Sequence, residues 1–317
     1  MKRFNIAAMG ELLFDVFEDG RRAPGGAPAN FAYHSAMFGD RATLITALGE
    51  DERGRELETF CRARGLALAG GRSSKPTGCV MVRTSGGDIS YEICENRAWD
   101  DLRLDDRAKE VLARSDVFAF GSLLARSEIS RKALEEAFEI LPQRCIRFCD
   151  INIRQHYFSG ELAEFLLIRA DILKLNTAEL ATVFSYADGF RPGMEQIRDH
   201  DQRMIADLAG KYSLRGVLLT DGEAGSLVLL DGSFSRIEAV RAEPGGDAVG
   251  AGDAFSAAFL TSLLHGMTPN EAHRFAACYA SAICGRRGAW PEDADPSGLM
   301  KSVMASMNLE CANFSSV

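Results

Sequence analysis

The sequence has no excess of basic residues and no long hydrophobic run. Its 36 lysines and arginines are outnumbered by 45 aspartates and glutamates, which gives a net charge of −9. A nucleic-acid-binding domain normally presents a basic face to the phosphate backbone, and a membrane-spanning helix needs about 20 consecutive apolar residues. We therefore expect neither nucleic acid nor a membrane among the partners of this chain.

The usual signals of secretion and of zinc binding by cysteine are also missing. The first residues, MKRFNIAAMGELLFD, are basic and then apolar like a signal peptide, but Glu11 and Asp15 interrupt the apolar stretch, so we interpret residues 4–9 as a first strand. The eight cysteines form no C-x-x-C pair and no Cys/His cluster with zinc spacing. We expect reduced thiols that pack as small hydrophobic groups, and a cytoplasmic protein.

The chain is nevertheless apolar enough for a large core. It has 317 residues, 46% of them hydrophobic, which suits two domains or one large domain with an appendage. Strand-like and helix-like segments alternate along most of the length, which indicates an α/β fold with a mostly parallel central sheet flanked by helices. The predicted strands are 4–9, 43–48, 116–120, 145–149, 171–175, 216–220 and 226–230. The predicted helices are 28–38, 52–64, 127–141, 161–170, 177–185, 195–211, 253–265, 269–285 and 296–307.

One region breaks this alternation. Residues 77–83 and 88–95 have the pattern of two strands joined by turn residues at Ser85-Gly86-Gly87. With the extended segment 11–23 they predict a small separate β-sheet. We therefore divide the chain into a core of residues 1–10, 24–76 and 104–317 and a β-sheet lid of residues 11–23 and 77–103. Such a flap suits an enzyme that must exclude water.

The clearest chemical signal lies in residues 245–260, GGDAVGAGDAFSAAFL. Gly250-Ala251-Gly252 precede a predicted helix and place backbone N–H groups at its positive end, which favours phosphate. Asp253 follows in the first turn, where its carboxylate would accept a proton from an attacking hydroxyl. Taken alone, Asp253 is equally consistent with a helix cap behind a tight glycine turn. The segment lacks the Gly-Lys-Ser/Thr of a Walker loop and the third glycine of a dinucleotide fingerprint.

A second glycine-rich segment lies between the first strand and the first helix. It comprises residues 10–15 (GELLFD) and 25–30 (GGAPAN), in which Asp15 and Asn30 are suited to hold hydroxyl groups. Gly25 and Gly26 would let a ligand approach the backbone closely. A ligand is expected outside the carboxyl end of a strand in an open α/β sheet, although an ordinary glycine turn explains the same residues.

These segments resemble the two signatures of the ribokinase-like (PfkB) carbohydrate kinases. GGAPANFAYHSAMFGDRATLITALGEDERGREL is similar to the N-terminal signature and DAVGAGDAFSAAFL to the C-terminal one. Residues 174–179 (KLNTAE) resemble the family motif N-x-x-E, and residues 220–225 (TDGEAG) resemble its motif T-x-G-x-x-G. Residues 150–154 (DINIR) resemble the D-x-N-x-R of the fructokinase and ketodeoxygluconate kinase branches. The resemblance, in family order from residue 4 to residue 290, implies a ribokinase-like fold with a small β lid.

The resemblance also implies a role for each matching residue in ATP-dependent phosphoryl transfer. Asp253 would be the general base, and Gly250, Ala251, Gly252 and the backbone N–H of Asp253 would form the anion hole. Asn176 and Glu179 would organise Mg²⁺ through water. The residues expected to line the nucleotide are Asn176, Thr220, Gly222, Gly225, Gly250 and Gly252. Arg154 would reach phosphate oxygens, unless it is an ordinary surface arginine.

For the sugar, the positions that match the family are Asp15, Gly26 and Asn30. Arg97 or Trp99 of the lid would face the sugar ring, with a lid-core position as the other interpretation of Trp99. Some relatives bind K⁺ through carbonyls, which here would come from Asp247, Val249, Ala282 and Gly288. This sequence has Ala248 where the family usually has Thr. Lid sheets in the family often pair across a dimer, so a homodimer through the 79–94 hairpin is expected.

The D-x-N-x-R segment and the GELLFD segment favour the fructokinase branch. The predicted reaction is phosphorylation of a sugar hydroxymethyl group, fructose to fructose 6-phosphate. The alternative is 2-keto-3-deoxygluconate kinase, because Arg97 and Tyr91 of the lid would suit a substrate carboxylate. A different class, a sugar- and nucleotide-binding regulator without catalysis, is disfavoured because it has little use for the carboxylate of Asp253.

Overall fold

The computed structural model describes residues 2–85, 88–188, 197–291 and 296–307. Its strands are β1 (Asn5–Met9), β2 (Leu13–Phe17), β3 (Arg22–Gly25), β4 (Arg41–Ile45), β5 (Leu48–Gly49), β6 (Ala67–Ala69), β7 (Arg72–Ser73), β8 (Gly78–Ser85), β9 (Asp88–Ile93), β10 (Val117–Gly121), β11 (Ile146–Asp150), β12 (Ile172–Asn176), β13 (Gly216–Thr220), β14 (Ser226–Leu230) and β15 (Ser233–Ile237). Its α-helices are α1 (Ala27–Met37), α2 (Glu52–Ala63), α3 (Asp106–Ala113), α4 (Glu128–Ile140), α5 (Gly160–Leu167), α6 (Thr177–Asp188), α7 (Ile197–Tyr212), α8 (Ala251–Leu264), α9 (Pro269–Cys284) and α10 (Pro296–Ser306).

The larger sheet has nine strands in the order β15-β14-β13-β12-β11-β10-β1-β4-β6. Seven of its strands, from β13 to β6 in this order, pair in parallel. At the other edge, β14 pairs antiparallel with both β13 and β15. Both faces are covered, and alternate residues of β1 enter two different apolar clusters. The cluster around Ile6 includes residues of α1, α8 and α9, whereas the cluster around Ala7 includes residues of α4, α5 and α7. Burial on both faces explains why these strands are almost continuously apolar in sequence. The predicted α/β architecture is confirmed.

The parallel pairing brings the carboxyl ends of the central strands to one edge. Gly121 of β10 lies opposite Asp150 of β11, and Asp150 lies opposite Lys174 of β12. Asn176 at the end of β12 is paired with Thr220 at the end of β13. Polar residues that are distant in sequence therefore meet at the position where an open α/β sheet binds its ligand.

The second sheet has four strands in the order β3-β2-β8-β9. It is built from the two separate segments that the sequence analysis assigned to a lid, with β2 and β8 pairing in parallel. β3 extends to Gly25, so this sheet includes residues 24 and 25, which we had assigned to the core. Gly86 and Gly87, predicted at the hairpin tip, lie outside the described residues. The division into a core and a lid stays a prediction.

Several elements differ from the sequence prediction. The predicted strand 43–48 is divided, because β4 ends at Ile45 and β5 begins at Leu48. Helix α3 was not predicted, although Asp105 caps it by accepting a hydrogen bond from the Ala108 N–H (2.7 Å). The edge strand β15 was also missed, since its mostly exposed residues SFSRI give no apolar pattern.

Two further observations concern the cysteines and the helices. The cysteines in the described part of the chain are free thiols, and they are Cys61, Cys79, Cys94, Cys145, Cys149, Cys278 and Cys284. Cys311 lies outside that part. Across the same residues, none of the helices combines the length and apolarity needed to cross a bilayer.

A buried ion pair joins the region after the lid strands to the core. Arg126, which follows β10, donates to both carboxylate oxygens of Asp100 at 2.7 and 2.8 Å, and both side chains are about 5% exposed or less. The Arg126 guanidinium also donates to the Cys94 carbonyl (2.8 Å) and stacks on the Trp99 ring at 3.9 Å. Trp99 is completely buried. This burial supports the alternative role of Trp99 in the lid core, where the indole is the apolar platform beneath the guanidinium, and its contact with the sugar stays a prediction.

This ion pair predicts a specific loss of stability. In Arg126→Met the aliphatic volume is kept but the Asp100 carboxylate is left buried and unpaired, so the free energy of unfolding should fall by about 3–5 kcal/mol. Urea unfolding measures this change. In the control Lys132→Met, which removes the exposed pair with Glu128, the loss should be much smaller, because solvent screens an exposed ion pair. Equal small losses in the two variants would contradict the anchoring role of Arg126.

Candidate active site

Helix α8 places Asp253 at the predicted crevice. Gly250 caps the helix in the left-handed region (φ 75°), and a Cβ there would collide with Ala289, so glycine is required by both conformation and space. Asp253 lies in the first turn. The Ala251 N–H, which we had expected in the anion hole, donates to the Ala248 carbonyl (3.2 Å). The first-turn N–H groups that helix geometry leaves for a ligand are therefore those of Gly252 and Asp253.

The Asp253 side chain is partly exposed and accepts a hydrogen bond from Asn30 Nδ2 at 2.8 Å. Burial raises the pKa of its carboxyl to about 7, and repulsion by Asp150 adds to this effect. The hydrogen bond from Asn30 and the nearby Lys174 charge act in the opposite direction. The result is a partly exposed carboxyl group whose pKa is raised to about 7.

Lys174 was not predicted as a site residue, and it is the buried cation of this crevice. Its Nζ lies 3.1 and 3.2 Å from the two Asp150 carboxylate oxygens. A Cβ on Gly252 would lie only 3.1 Å from the same Nζ, so glycine lets the ammonium sit against the first turn of α8. Burial alone would lower the pKa of Lys174, but neighbouring carboxylates raise it overall, and the group keeps its charge. A charged residue inside the apolar strand ILKLN was the available sequence signal.

The start of α1 supplies the opposite wall. Gly26 caps this helix with φ 116°, and a Cβ there would collide with the Glu11 backbone. Asn30 follows in the first turn and contacts Asp253 on α8. The two glycine-rich segments, 223 residues apart at this contact, therefore meet as the sequence predicted. Trp290, also missed, donates its indole N–H to Asn30 Oδ1 at 2.6 Å.

Two further carboxyl groups line this wall. Glu11 is 4% exposed and accepts a hydrogen bond from the Ala27 N–H (3.2 Å), and burial raises its pKa to about 7. Burial likewise raises the pKa of Asp15 on β2 to about 6. A Cβ on Gly25 would lie 3.2 Å from Asp15 Oδ2, so the glycine backbone passes close to that carboxylate. Glu11 was not proposed as a site residue, although an acidic residue inside the GELLFD segment was the sequence signal.

Asn176 and Glu179 hold each other across the end of β12. The Asn176 N–H donates to Glu179 Oε2 (2.8 Å), and the Glu179 N–H donates to Asn176 Oδ1 (2.9 Å). The Ile153 N–H donates to the other Glu179 oxygen at 2.9 Å. Each carboxylate oxygen keeps a second lone pair. This donor set fits the indirect contact to Mg²⁺ through water that the resemblance implied.

The expected nucleotide residues lie at the same sheet edge. Thr220 ends β13, and Gly222 and Gly225 follow in a tight turn closed by the Asp221 N–H to the Gly225 carbonyl (2.8 Å). Thr177 Oγ1 donates to Asp221 Oδ1 (2.9 Å), which ties this turn to the end of β12. Their contact with a nucleotide stays a prediction.

The structure does not bring every predicted residue to Asp253 by a direct contact. Arg154 is exposed, and its Nη1 donates to the neighbouring Ile153 carbonyl at 3.1 Å, although its charge is near enough to lower the pKa values of Glu11 and Asp253. Arg97 is half-buried in the loop after β9, and its backbone N–H donates to Asp100 Oδ2 (2.8 Å).

The loops that carry the carbonyls expected for K⁺ are joined by hydrogen bonds. The Asp247 carboxylate accepts the N–H groups of Val249 and Gly288, both at 3.0 Å, and thereby joins the two loops. The Ala282 carbonyl accepts a hydrogen bond from Arg286 Nη1 at 2.6 Å. The Ala282 carbonyl oxygen keeps a second lone pair, and the binding of K⁺ by this set of carbonyls stays a prediction.

The raised pKa of Glu11 predicts a pH-dependent change in stability. An acid whose pKa is higher in the folded state costs stability once it ionises, and this cost grows between its unfolded pKa and its folded pKa. Glu11→Gln should therefore raise the free energy of unfolding of the ligand-free protein by about 2 kcal/mol at about pH 8 and by little at about pH 4. Urea unfolding at both pH values measures this. The exposed Glu110→Gln is the control, and a gain that is equal at both pH values would contradict the assignment.

Comparisons with known proteins identify the family and the fold of the chain. The family model described as pfkB family carbohydrate kinase matches residues 16–294. Fructokinase-1 of Oryza sativa subsp. japonica is 26% identical over 287 residues, which is 85% of this chain and 85% of that protein. The crystal structure of an uncharacterized sugar kinase from Pyrococcus horikoshii has a TM-score of 0.76 at 25% identity and covers 93% of this chain and 96% of its own.

A fructokinase with bound ATP from Xylella fastidiosa matches with a TM-score of 0.80 at 20% identity, over 96% of this chain and 98% of its own. These likenesses confirm the ribokinase-like α/β fold that the sequence predicted. Since the family model covers residues 16–294, which is most of the chain, the protein belongs to the PfkB family of carbohydrate kinases.

Proposed function

We propose that the protein is an ATP-dependent sugar kinase that transfers the γ-phosphoryl group to a sugar hydroxymethyl, with fructose as acceptor and fructose 6-phosphate as product. The observation that carries this proposal is the position of Asp253, whose partly exposed side chain stands in the first turn of α8 beside the Lys174 ammonium. Phosphoryl transfer needs a base close to a group that binds phosphate. The Asp253 carboxylate and the N-terminal end of α8 supply these two groups at the same place.

Asp253 is the general base of the proposed reaction. The sugar oxygen attacks the γ-phosphorus, the bond from that phosphorus to the β–γ bridging oxygen breaks, and ADP leaves. The hydroxyl proton moves to the Asp253 carboxylate. A pKa near neutrality suits this role, because the carboxyl is ionised before the reaction and still basic enough to take the proton.

The charge on the transferred group is offset by fixed donors. These are the first-turn N–H groups of Gly252 and Asp253 and the ammonium of Lys174, which geometry places against the same turn. Bound Mg²⁺ would neutralise charge on the nucleotide phosphates, held through water by Glu179 and Asn176. The nucleotide would lie along Thr220, Gly222 and Gly225, with Arg154 reaching phosphate oxygens.

The acceptor is proposed to bind between Asp15, Gly26 and Asn30. Sugar hydroxyls can donate to the carboxylates of Asp15 and Glu11, whereas an anionic acceptor would be repelled by them. This favours fructose. One observation favours 2-keto-3-deoxygluconate as the second candidate: Arg97 Nε is a buried nitrogen without a hydrogen-bond partner in the described structure, and a substrate carboxylate would satisfy it.

Two properties beyond the reaction are part of the proposal. A homodimer through the second sheet is supported by β9, which is an edge strand carrying a Tyr91 that is 58% exposed. A cytoplasmic location is supported by the free thiols, because such thiols persist in reducing compartments.

Asp253→Asn tests the reaction against the non-catalytic alternative. The amide keeps the size of the side chain but cannot take a proton, so kcat should fall by on the order of 10³-fold, while fructose and ATP still bind in calorimetry. Glu110→Gln, which is remote and exposed, should leave kcat unchanged. ATP consumption that is unchanged in Asp253→Asn would refute the proposed base and favour a binding role.

A panel of acceptors tests the proposed sugar. With ATP and Mg²⁺, kcat/KM should be highest for fructose and at least about tenfold lower for the anionic 2-keto-3-deoxygluconate, as one unfavourable charge contact of about 1.4 kcal/mol would give. The neutral acceptors ribose and adenosine are measured beside them. Arg97→Met is measured with the same acceptors and should leave fructose turnover within about twofold. Turnover of 2-keto-3-deoxygluconate alone, abolished by Arg97→Met, would make the acceptor assignment wrong.

A further inference from the structure

Trp290 lies behind the crevice and has no role in the proposed reaction so far. It is 5% exposed, and its ring stacks on Tyr33 of α1 at 4.4 Å with an interplanar angle of 8°. Phe60 of α2 packs on the same indole at 5.1 Å. These contacts fix the ring while its N–H points at Asn30 Oδ1, 2.6 Å away.

The chemistry of the three groups leaves one consistent arrangement. An indole N–H only donates, and a side-chain amide has an oxygen that accepts and a nitrogen that donates. Trp290 therefore holds Asn30 Oδ1, which leaves Asn30 Nδ2 to donate to Asp253 Oδ2 at 2.8 Å. If the side-chain amide of Asn30 were rotated by 180°, its Oδ1 would face the Asp253 carboxylate, and two hydrogen-bond acceptors would be opposed.

We propose that Trp290 is a positioning residue that fixes the orientation of the Asn30 amide and, through it, the orientation and ionisation of Asp253. This inference rests on the proposed function only where it calls Asp253 the base. The contacts from Trp290 to Asn30 to Asp253 stand whatever the acceptor is.

The energetic consequence follows from the charge on Asp253. A hydrogen bond donated to a carboxylate favours its ionised form, and the donation from Asn30 lowers the pKa of Asp253 against the opposing effect of burial. Without the indole donor the amide is free to present either end, so part of this stabilisation is lost and the pKa of Asp253 should rise. The other charged groups that face Asp253 are Asp150, Lys174, Arg154 and Glu11, and none of them is bonded to Trp290.

The test uses Trp290→Phe, which keeps an aromatic ring on Tyr33 and removes the N–H. The side-chain resonance of Asp253 is followed by NMR in protein with isotope-labelled aspartate, and is assigned by its loss in Asp253→Asn. The titration midpoint should be about 7 in the wild type and about one pH unit higher in Trp290→Phe. The acid limb of kcat/KM should move by the same amount, with activity recovered at higher pH.

Phe60→Leu is the matched control. It alters packing on the Trp290 ring but leaves the indole N–H bonded to Asn30, so the Asp253 midpoint should stay unchanged. If Trp290→Phe does not fold, the inference can still be tested by NMR titration of the wild-type protein. The Trp290 indole and Asn30 amide resonances should then titrate with the midpoint of Asp253, and this titration should vanish in Asp253→Asn.

Three outcomes would overturn the inference. They are an unchanged Asp253 midpoint in Trp290→Phe, an equal shift in Phe60→Leu, and indole and amide resonances that do not follow Asp253. The NMR titration requires no turnover, so it separates this failure from failure of the kinase proposal, which is decided by the kinetics of Asp253→Asn.

Discussion

The site depends on one buried positive charge among several negative ones. Lys174 bonds to Asp150 and lies close to Asp253 and Glu179, and mutual repulsion of these carboxylates in a poorly solvated crevice would otherwise keep some of them protonated. With the ammonium present, Asp253 ionises near neutral pH. The parallel pairing of β11 with β12 sets Asp150 opposite Lys174. The strand register therefore determines which carboxylate the ammonium contacts.

The sequence predicted what local patterns encode. Apolar strands that alternate with helices indicated the parallel sheet, and the glycines at Gly26 and Gly250 indicated the two helix starts that form the crevice. Asp253 and Asn30 could be proposed because each follows such a glycine within one turn. Resemblance to a family then joined the segments in one site.

The rest could not be predicted because it depends on contacts between distant residues. The charge of Lys174 inside an apolar strand was a local signal, but it does not reveal which carboxylate the ammonium contacts, and Trp290 has no local signal for a ligand. Their roles come from strand register and from the packing of α1 against α8. Trp99 shows the reverse case, since an aromatic residue in the lid segment is suited equally to a sugar and to a guanidinium. Only the position of Arg126 favours one of these roles, the contact with the guanidinium.

The residues proposed to bind the acceptor belong to two different sheets, because the chain passes through β2 and β3 before it enters α1. Asp15 belongs to the four-stranded sheet, whereas Asn30 belongs to a helix packed on the nine-stranded sheet. A molecule held by both side chains bridges the two sheets, and part of its binding energy depends on the distance between them. The residues proposed for the nucleotide all follow strands of the nine-stranded sheet or begin α8. Under the proposed assignment, the acceptor would contact both sheets, whereas the phosphate donor would contact only the nine-stranded sheet and α8.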